Sequence, residues 1–143
     1  MRLCQDLVNR VQVATGSERV AVLWVSPKSH YLYLWPRVDC WTESRDALTY
    51  EGPWPVIAHP LCGSWGKLKA FSRQSRIHGI AAMYFVHKYG GCVEQPSGSE
   101  LFRLLGRGGN VESLDQGDWG FPSPKPTLIY WYLQVSRPDA PVV

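Results

Sequence analysis

The chain lacks paired cysteines, long apolar runs, and a basic segment followed by an apolar one near its start. Its four cysteines, at positions 4, 40, 62 and 92, are widely separated and form no Cys-x-x-Cys pair. This usage is typical of a protein with reduced thiols and excludes a disulfide-rich scaffold. Because no secretory pattern and no membrane-spanning run are found, we expect a cytoplasmic protein without a membrane partner.

Charge is also scarce, since charged residues make up only 19% of the 143 residues and the formal net charge is +3. A hydrophobic content of 45% completes a composition typical of a globular protein and excludes global disorder. Mild basicity permits a nucleic-acid partner without requiring one. The length predicts a single α/β domain over residues 1–136, followed by a loose tail over 137–143 that contains two prolines.

Helical and strand patterns alternate along the chain. Strands are predicted at 20–25, 37–41, 56–58, 92–94, 111–116 and 127–135, and helices at 1–14, 26–36, 43–50, 77–89 and up to residue 105. Ser26 and Thr42 are the predicted N-caps of the second and third helices. The continuous apolar run Val20–Val25 is typical of a parallel strand covered on both faces. The pattern therefore predicts a small three-layer sandwich of the Rossmann-like α/β class.

The segment Pro55–Gly66 carries the strongest indication of chemistry. Its strand Val56–Ala58 runs into a loop that contains Cys62. Ligands of α/β proteins bind at the carboxyl ends of strands, so Cys62 stands where a nucleophile is expected. Glu94 ends another buried strand, and an acid at such a place seldom serves solvation alone. We predict that Cys62 and Glu94 belong to one site.

The same residues allow simpler interpretations. A lone cysteine is more often a small inert apolar side chain than a nucleophile. His59 precedes Cys62 by three residues, a spacing found in metal sites, and Cys92 offers a further thiol. Because no second close pair of ligands exists, we predict no metal.

A basic segment follows the Cys62 loop, and it contains Lys67, Lys69, Arg73 and Arg76. Such a run contacts nucleic-acid phosphates in one interpretation and forms a solvated helix face in the other. We predict that this segment contacts nucleic-acid phosphates.

Four segments, taken in order, resemble motifs of the DNA cytosine-5 methyltransferases. The loop ending in Cys62 is similar to that family's Pro-Pro-Cys nucleophile motif, and Val93–Pro96 is similar to its Glu-Asn-Val motif. Asp118–Leu128 resembles the later run of aromatic-Gly-x-Pro-Gln-x-Arg-x-Arg. Val38–Trp41 resembles the segment at the family's second strand, and the likeness extends over about Val20–Leu133.

The resemblance implies a fold like that family's catalytic domain and a role for three residues. A cysteine at Cys62 would attack C6 of a flipped cytosine, and a glutamate at Glu94 would bind the base edge at N3. A basic residue at Lys125 would hold the base or its phosphate. DNA or a pyrimidine nucleotide is the implied partner.

The chain departs from the family at the place of the cofactor. The family's Phe-x-Gly-x-Gly loop binds S-adenosylmethionine by close backbone approach, which needs glycine, but the same place here reads Ser26-Pro27-Lys28-Ser29. We therefore predict no cofactor and a loss of S-adenosylmethionine binding. The alternative function is that of a catalytically inactive accessory protein of a phage or mobile element. Such a protein would bind a host protein, such as a defence or restriction component, through its seven tryptophans and seven tyrosines.

Overall fold

The computed structural model describes residues 2–61 and 76–133. Within these ranges a six-stranded sheet has the order β2-β1-β3-β4-β6-β5. The strands are β1 (Val20–Leu23), β2 (Val38–Trp41), β3 (Val56–Ala58), β4 (Gly91–Pro96), β5 (Asn110–Asp115) and β6 (Pro126–Tyr132). The first four are parallel, whereas β6 is antiparallel to both of its neighbours.

Helical elements pack on both faces of this sheet. They are the α-helices α1 (Arg2–Thr15), α2 (Ile77–Tyr89) and α3 (Leu101–Leu105), and the 3₁₀ helices η1 (His30–Leu34), η2 (Ala47–Thr49) and η3 (Gln116–Trp119). One apolar core lies beneath α1 and η1, and the other lies beneath α2, α3 and η2. The predicted α/β class is therefore confirmed. None of the helices in the described ranges has the length and apolarity needed to cross a membrane.

Strand β1 lies inside the sheet because both of its faces are apolar. Val20 and Val22 point into the core beneath α1, whereas Ala21 and Leu23 point into the core beneath α2, and all four are 0% exposed. Full burial of a Val or Leu side chain stabilises a fold by about 1.5–3 kcal/mol. The continuous apolar run seen in the sequence thus specifies an interior strand.

The order of the strands fixes where a ligand can bind. From β1 the chain crosses to β2 on one side and then returns past β1 to β3 on the other side. In open α/β sheets, the crevice beyond the carboxyl ends of the strands at such a reversal is the usual ligand site. We call this side of the sheet the carboxyl edge, and it carries Trp24 after β1 and His59 after β3.

Two helices predicted from the sequence are shorter and begin later than expected. η1 begins after Ser29, whose Oγ accepts a hydrogen bond from Tyr31 N at 3.2 Å. Ser26 closes a separate turn instead, with its Oγ 3.1 Å from Lys28 N. In the same way Asp46, and not Thr42, caps η2. The predictions of helices over 26–36 and 43–50 are wrong because these short polar side chains bond to nearby backbone and favour turns over α-helix.

Helix α2 has the predicted bounds, but only some of its apolar side chains are buried. Met83, Phe85 and Val86 are buried, whereas Ile80 and Tyr84 are 47% and 57% exposed. Apolar residues surround this helix on nearly all sides, so their periodicity does not select the buried face.

Candidate functional site

The register of β3 and β4 brings His59 and Glu94 together. Ile57 pairs with Cys92, and both side chains lie in the core beneath α1. Side chains two residues apart on a strand share a face, and neighbouring strands lie about 4.8 Å apart. His59 and Glu94, each two residues further along, therefore meet on the α1 side of the carboxyl edge.

These two side chains lie within hydrogen-bonding distance of each other. His59 Nδ1 lies 3.0 Å from Glu94 Oε2, and the two side chains are only 23% and 15% exposed. Burial alone raises the pKa of the Glu94 carboxyl. The hydrogen bond and charge of His59, together with the charge of Lys125, outweigh burial and bring that pKa below its ordinary value. Glu94 is therefore ionised at neutral pH and acts only as an acceptor, so His59 Nδ1 carries the shared proton.

The other oxygen of Glu94, Oε1, accepts a hydrogen bond from Gln116 Nε2. The distance of 3.5 Å makes this bond long and weak. The same amide nitrogen donates to Thr127 Oγ1 at 3.0 Å, and the Thr127 hydroxyl donates to the carbonyl of Lys125 at 2.9 Å. The Glu94 side chain is thus largely buried, and its Oε1 is only weakly bonded.

Both His59 and Glu94 line a pocket of about 540 Å³. Its other walls come from α1, the residues around η1, and the segment from η3 to β6: Leu3, Cys4, Leu7, Ser29, His30, Tyr31, Gln116, Trp119, Gly120, Phe121, Pro122 and Lys125. The ring of Tyr31 lies 5.3 Å from that of His59, and Lys125 Nζ lies 5.1 Å from the Phe121 ring centre. Apolar and aromatic walls with a few polar groups are the features of a small-molecule site.

Gln95 ties the loop after β3 to β4 and α3. Its side chain is buried, and Nε2 donates to the carbonyl of Pro60 at 3.1 Å. Its Oε1 accepts a hydrogen bond from Ser99 Oγ at 2.7 Å, and Ser99 Oγ in turn accepts one from Leu101 N at the start of α3. The chain is therefore held in place two residues before Cys62.

The carboxyl end of β1 is built differently. Trp24 adopts a left-handed backbone conformation with φ of 57°, and its ring centre lies 5.6 Å from that of His78 and 6.4 Å from that of Phe85. In the turn that follows, the amide of Lys28 donates to Ser26 Oγ and the amide of Ser29 donates to Ser26 O. Because these backbone donors are used within the turn, the residues do not fit a cofactor that needs close backbone approach.

The predicted site residues fall into two groups. Glu94 and Lys125 line the same pocket, and Arg76 lies exposed directly before α2. Cys62, Lys67, Lys69 and Arg73 lie outside the described residues. The part of the prediction that the structure describes therefore concerns Glu94 and two basic residues, of which Lys125 lines the pocket and Arg76 does not.

The structure also identifies site residues that the sequence analysis missed. His59 was considered only as a metal ligand, although it follows a buried strand just as Glu94 ends one. Within the described ranges no group of three or more potential ligands is placed to hold a metal. Cys92 is buried in the core beneath α1, where burial raises the pKa of its thiol. Gln116 and Tyr31 had no sequence signal, because tertiary packing alone brings their loops to the pocket.

No model of a known protein family matches the chain, and comparison with curated proteins and with solved structures gives no match either. The resemblance to the cytosine-5 methyltransferases therefore rests on the four sequence segments alone. A function has to be argued from the pocket and its chemistry.

Proposed function

We propose that this chain recognises a pyrimidine base, within DNA or a nucleotide, in the pocket beside Glu94. The observation that carries the proposal is a largely buried, ionised carboxylate with one oxygen that accepts only a long hydrogen bond, from Gln116 at 3.5 Å. The exocyclic amino group of cytosine is a donor of the type that a carboxylate accepts. The aromatic walls offer faces on which a flat base stacks.

The place of the pocket in the fold supports the proposal. It lies at the carboxyl edge, where α/β sheets bind their ligands. Helices on both faces of a largely parallel sheet are compatible with a Rossmann-like domain of the kind that the sequence segments resemble. Glu94, which matches the family's glutamate in the sequence, lines this pocket together with Lys125, which matches one of its basic positions.

The charge of Glu94 favours recognition of a base over its chemical activation. An ionised carboxylate accepts a hydrogen bond from an amino group but cannot donate one to N3 of the ring. Attack of a thiolate on C6 becomes easier when N3 receives such a proton. Modification through Cys62 therefore depends on Glu94 gaining a proton in the complex, and it forms the secondary part of the proposal.

A methyl-transfer step is not part of the proposal. Trp24 and the turn from Ser26 to Ser29 do not fit S-adenosylmethionine, for the reasons given above. We expect calorimetry with S-adenosylmethionine to show no binding. Micromolar binding would contradict this description of the β1 end.

Binding of cytidine monophosphate, followed by calorimetry, tests the recognition of a base. We expect Glu94→Gln to lose about tenfold or more in affinity, because a hydrogen bond to a charged group is lost. Glu112→Gln is the matched control. Glu112 lies on β5, pairs with Arg10 of α1 and does not line this pocket. Equal affinities of the parent and the Glu94→Gln variant would contradict the proposal.

Covalent trapping by a mechanism-based pyrimidine analogue tests the secondary part. We expect the parent to form an adduct and Cys62→Ser to form none while still binding cytidine monophosphate. If the parent forms no adduct, modification through Cys62 is withdrawn and recognition of the base stands.

A second candidate function is the binding of a protein partner. It is favoured by large apolar side chains that lie exposed on α2 and η2, namely Ile80, Tyr84 and Leu48. Exposed apolar groups that lie together often mark protein interfaces. Capture of one partner by the parent, lost in Tyr84→Lys but kept in Glu94→Gln, would favour this candidate over base recognition.

A further inference from the structure

We propose that His59 is a positioning residue for Glu94, which it holds through Oε2 so that Oε1 is the oxygen offered to a ligand. The inference rests on the proposed function and adds a residue to it. His59 itself makes no contact with the base in this arrangement. Its effect on the ligand passes entirely through the Glu94 carboxylate.

The backbone and the packing around His59 leave its ring little freedom. Its amide donates to the carbonyl of Leu23 at 3.0 Å, which ties the residue to the neighbouring strand β1. The ring of Tyr31, itself buried, lies 5.3 Å away. Rotation of the His59 ring would therefore break its hydrogen bond to Glu94.

The ring of His59 makes one hydrogen bond to the described part of the chain. Nδ1 contacts Glu94, whereas Nε2 is buried and has no hydrogen-bond partner among the described residues. Because the ionised carboxylate only accepts, the proton stays on Nδ1. Such a donor fixes both the orientation and the charge state of the group that it contacts.

The other titratable groups around Glu94 do not replace His59. Lys125 lies in the segment before β6, Cys4 comes from α1, and His30 and Tyr31 come from η1. In the described ranges only His59 among these groups makes a hydrogen bond to the carboxylate. Without it, burial is opposed by the charge of Lys125 alone, and the pKa of Glu94 rises.

Three variants separate positioning from simple packing. His59→Leu removes the donor, whereas His59→Asn keeps a side-chain N–H near the place of Nδ1 without the charge. His87→Leu is the matched control, because His87 bonds to Tyr130 and does not line this pocket. The titration of the Glu94 carboxyl is followed by carbon NMR in the free protein. The affinity for cytidine monophosphate is measured against pH.

We expect Glu94 to titrate at higher pH in His59→Leu than in the parent. Binding of cytidine monophosphate should weaken by about tenfold on the acid side and recover as the pH rises and Glu94 ionises. His59→Asn should stay within about threefold of the parent at neutral pH, with its binding profile shifted to higher pH. His87→Leu should match the parent in both measurements.

The outcomes distinguish this inference from the proposed function. If Glu94 titrates alike in the parent and in His59→Leu while both bind cytidine monophosphate equally, His59 has no positioning role and base recognition stands. If the titration shifts but the parent binds no cytidine monophosphate, control of Glu94 by His59 is supported and base recognition fails. Should His59→Leu not fold, an unshifted binding profile in His59→Asn overturns the inference.

Discussion

The end of β1 and the ends of β3 and β4 lie on one edge of the sheet, yet their polar groups are used in opposite ways. After β1, the turn from Ser26 to Ser29 bonds its amides within itself, and Trp24 packs its ring against α2. At β3 and β4, His59 contacts one oxygen of Glu94, and the other oxygen accepts only a long hydrogen bond from Gln116, at 3.5 Å. The same edge therefore carries a closed end, whose amides bond within the turn, and an open end, where a carboxylate oxygen is only weakly bonded.

This difference indicates that the topology determines which edge of the sheet is suited to a ligand, whereas the side chains determine the position along that edge. Both ends satisfy the rule that ligands bind beyond the carboxyl ends of strands. What separates them is whether buried donors and acceptors already have partners, because an unpaired buried polar group is destabilising until something binds it. Substitutions of Trp24 test the closed end, a substitution of Gln95 tests the support of the open end, and a substitution of Glu94 tests its charge.

The largest effect is expected at Trp24. Trp24→Ala should lower the free energy of unfolding by about 3 kcal/mol, because the indole loses its contacts with His78 and Phe85. Trp24→Gly should be more stable than Trp24→Ala by about 1 kcal/mol, since glycine adopts a φ of 57° without a steric penalty. Urea denaturation of both variants measures the difference. A glycine variant less stable than the alanine variant would show that the closed end does not need this backbone conformation.

A smaller loss is expected at Gln95, which supports the open end. Gln95→Leu keeps the buried volume but leaves the Pro60 carbonyl and the Ser99 hydroxyl without their partner, so it should cost about 2 kcal/mol of unfolding free energy. Gln5→Leu, on the exposed side of α1, is the control and should change little. Thermal and urea denaturation give the two values. Similar stabilities of the two variants would mean that the amide of Gln95 does not hold the loop after β3.

The smallest effect concerns the pH dependence of stability at Glu94. The pKa of its carboxyl in the folded protein lies below the ordinary value of 4.5. The stabilising contribution of the ionised carboxylate is therefore fully present above that value. It is lost as the pH falls through the lower, folded-state pKa. The stability difference between the parent and Glu94→Gln should therefore shrink toward acid pH, as measured by urea denaturation at a series of pH values. A difference that grows toward acid pH would show that burial, and not the contact with His59, determines the direction of the Glu94 pKa shift.

Part of the fold could be predicted from the sequence because it depends on local pattern. The apolar run of β1 and the bounds of α2 both follow from continuous stretches of suitable residues. The caps could not be predicted, because Ser26 and Ser29 are equally good candidates by type, and only the turn geometry selects Ser29 for η1. The buried face of α2 depends on which strands lie beneath it, and no local pattern contains that information.

The site residues could likewise be predicted only where a local pattern marks them. Glu94 could be found because it ends a buried strand, and the same rule would have selected His59 if both strand ends had been considered together. Their pairing required the register of β3 against β4, which no local pattern contains. Gln116 and Tyr31 reach the pocket through connections that differ in length and direction, so their participation depends on the whole topology.

The position of β6 has a consequence for how the chain acquires this site during synthesis. β6 lies between β4 and β5, although it follows both of them along the chain. As residues leave the ribosome in order, β5 has no strand to pair with, and β4 has a bare edge, until residues 126–132 emerge. Thr127, which holds Gln116 beside Glu94, arrives in that same strand. A nascent chain thus completes its pocket in the step that closes its sheet.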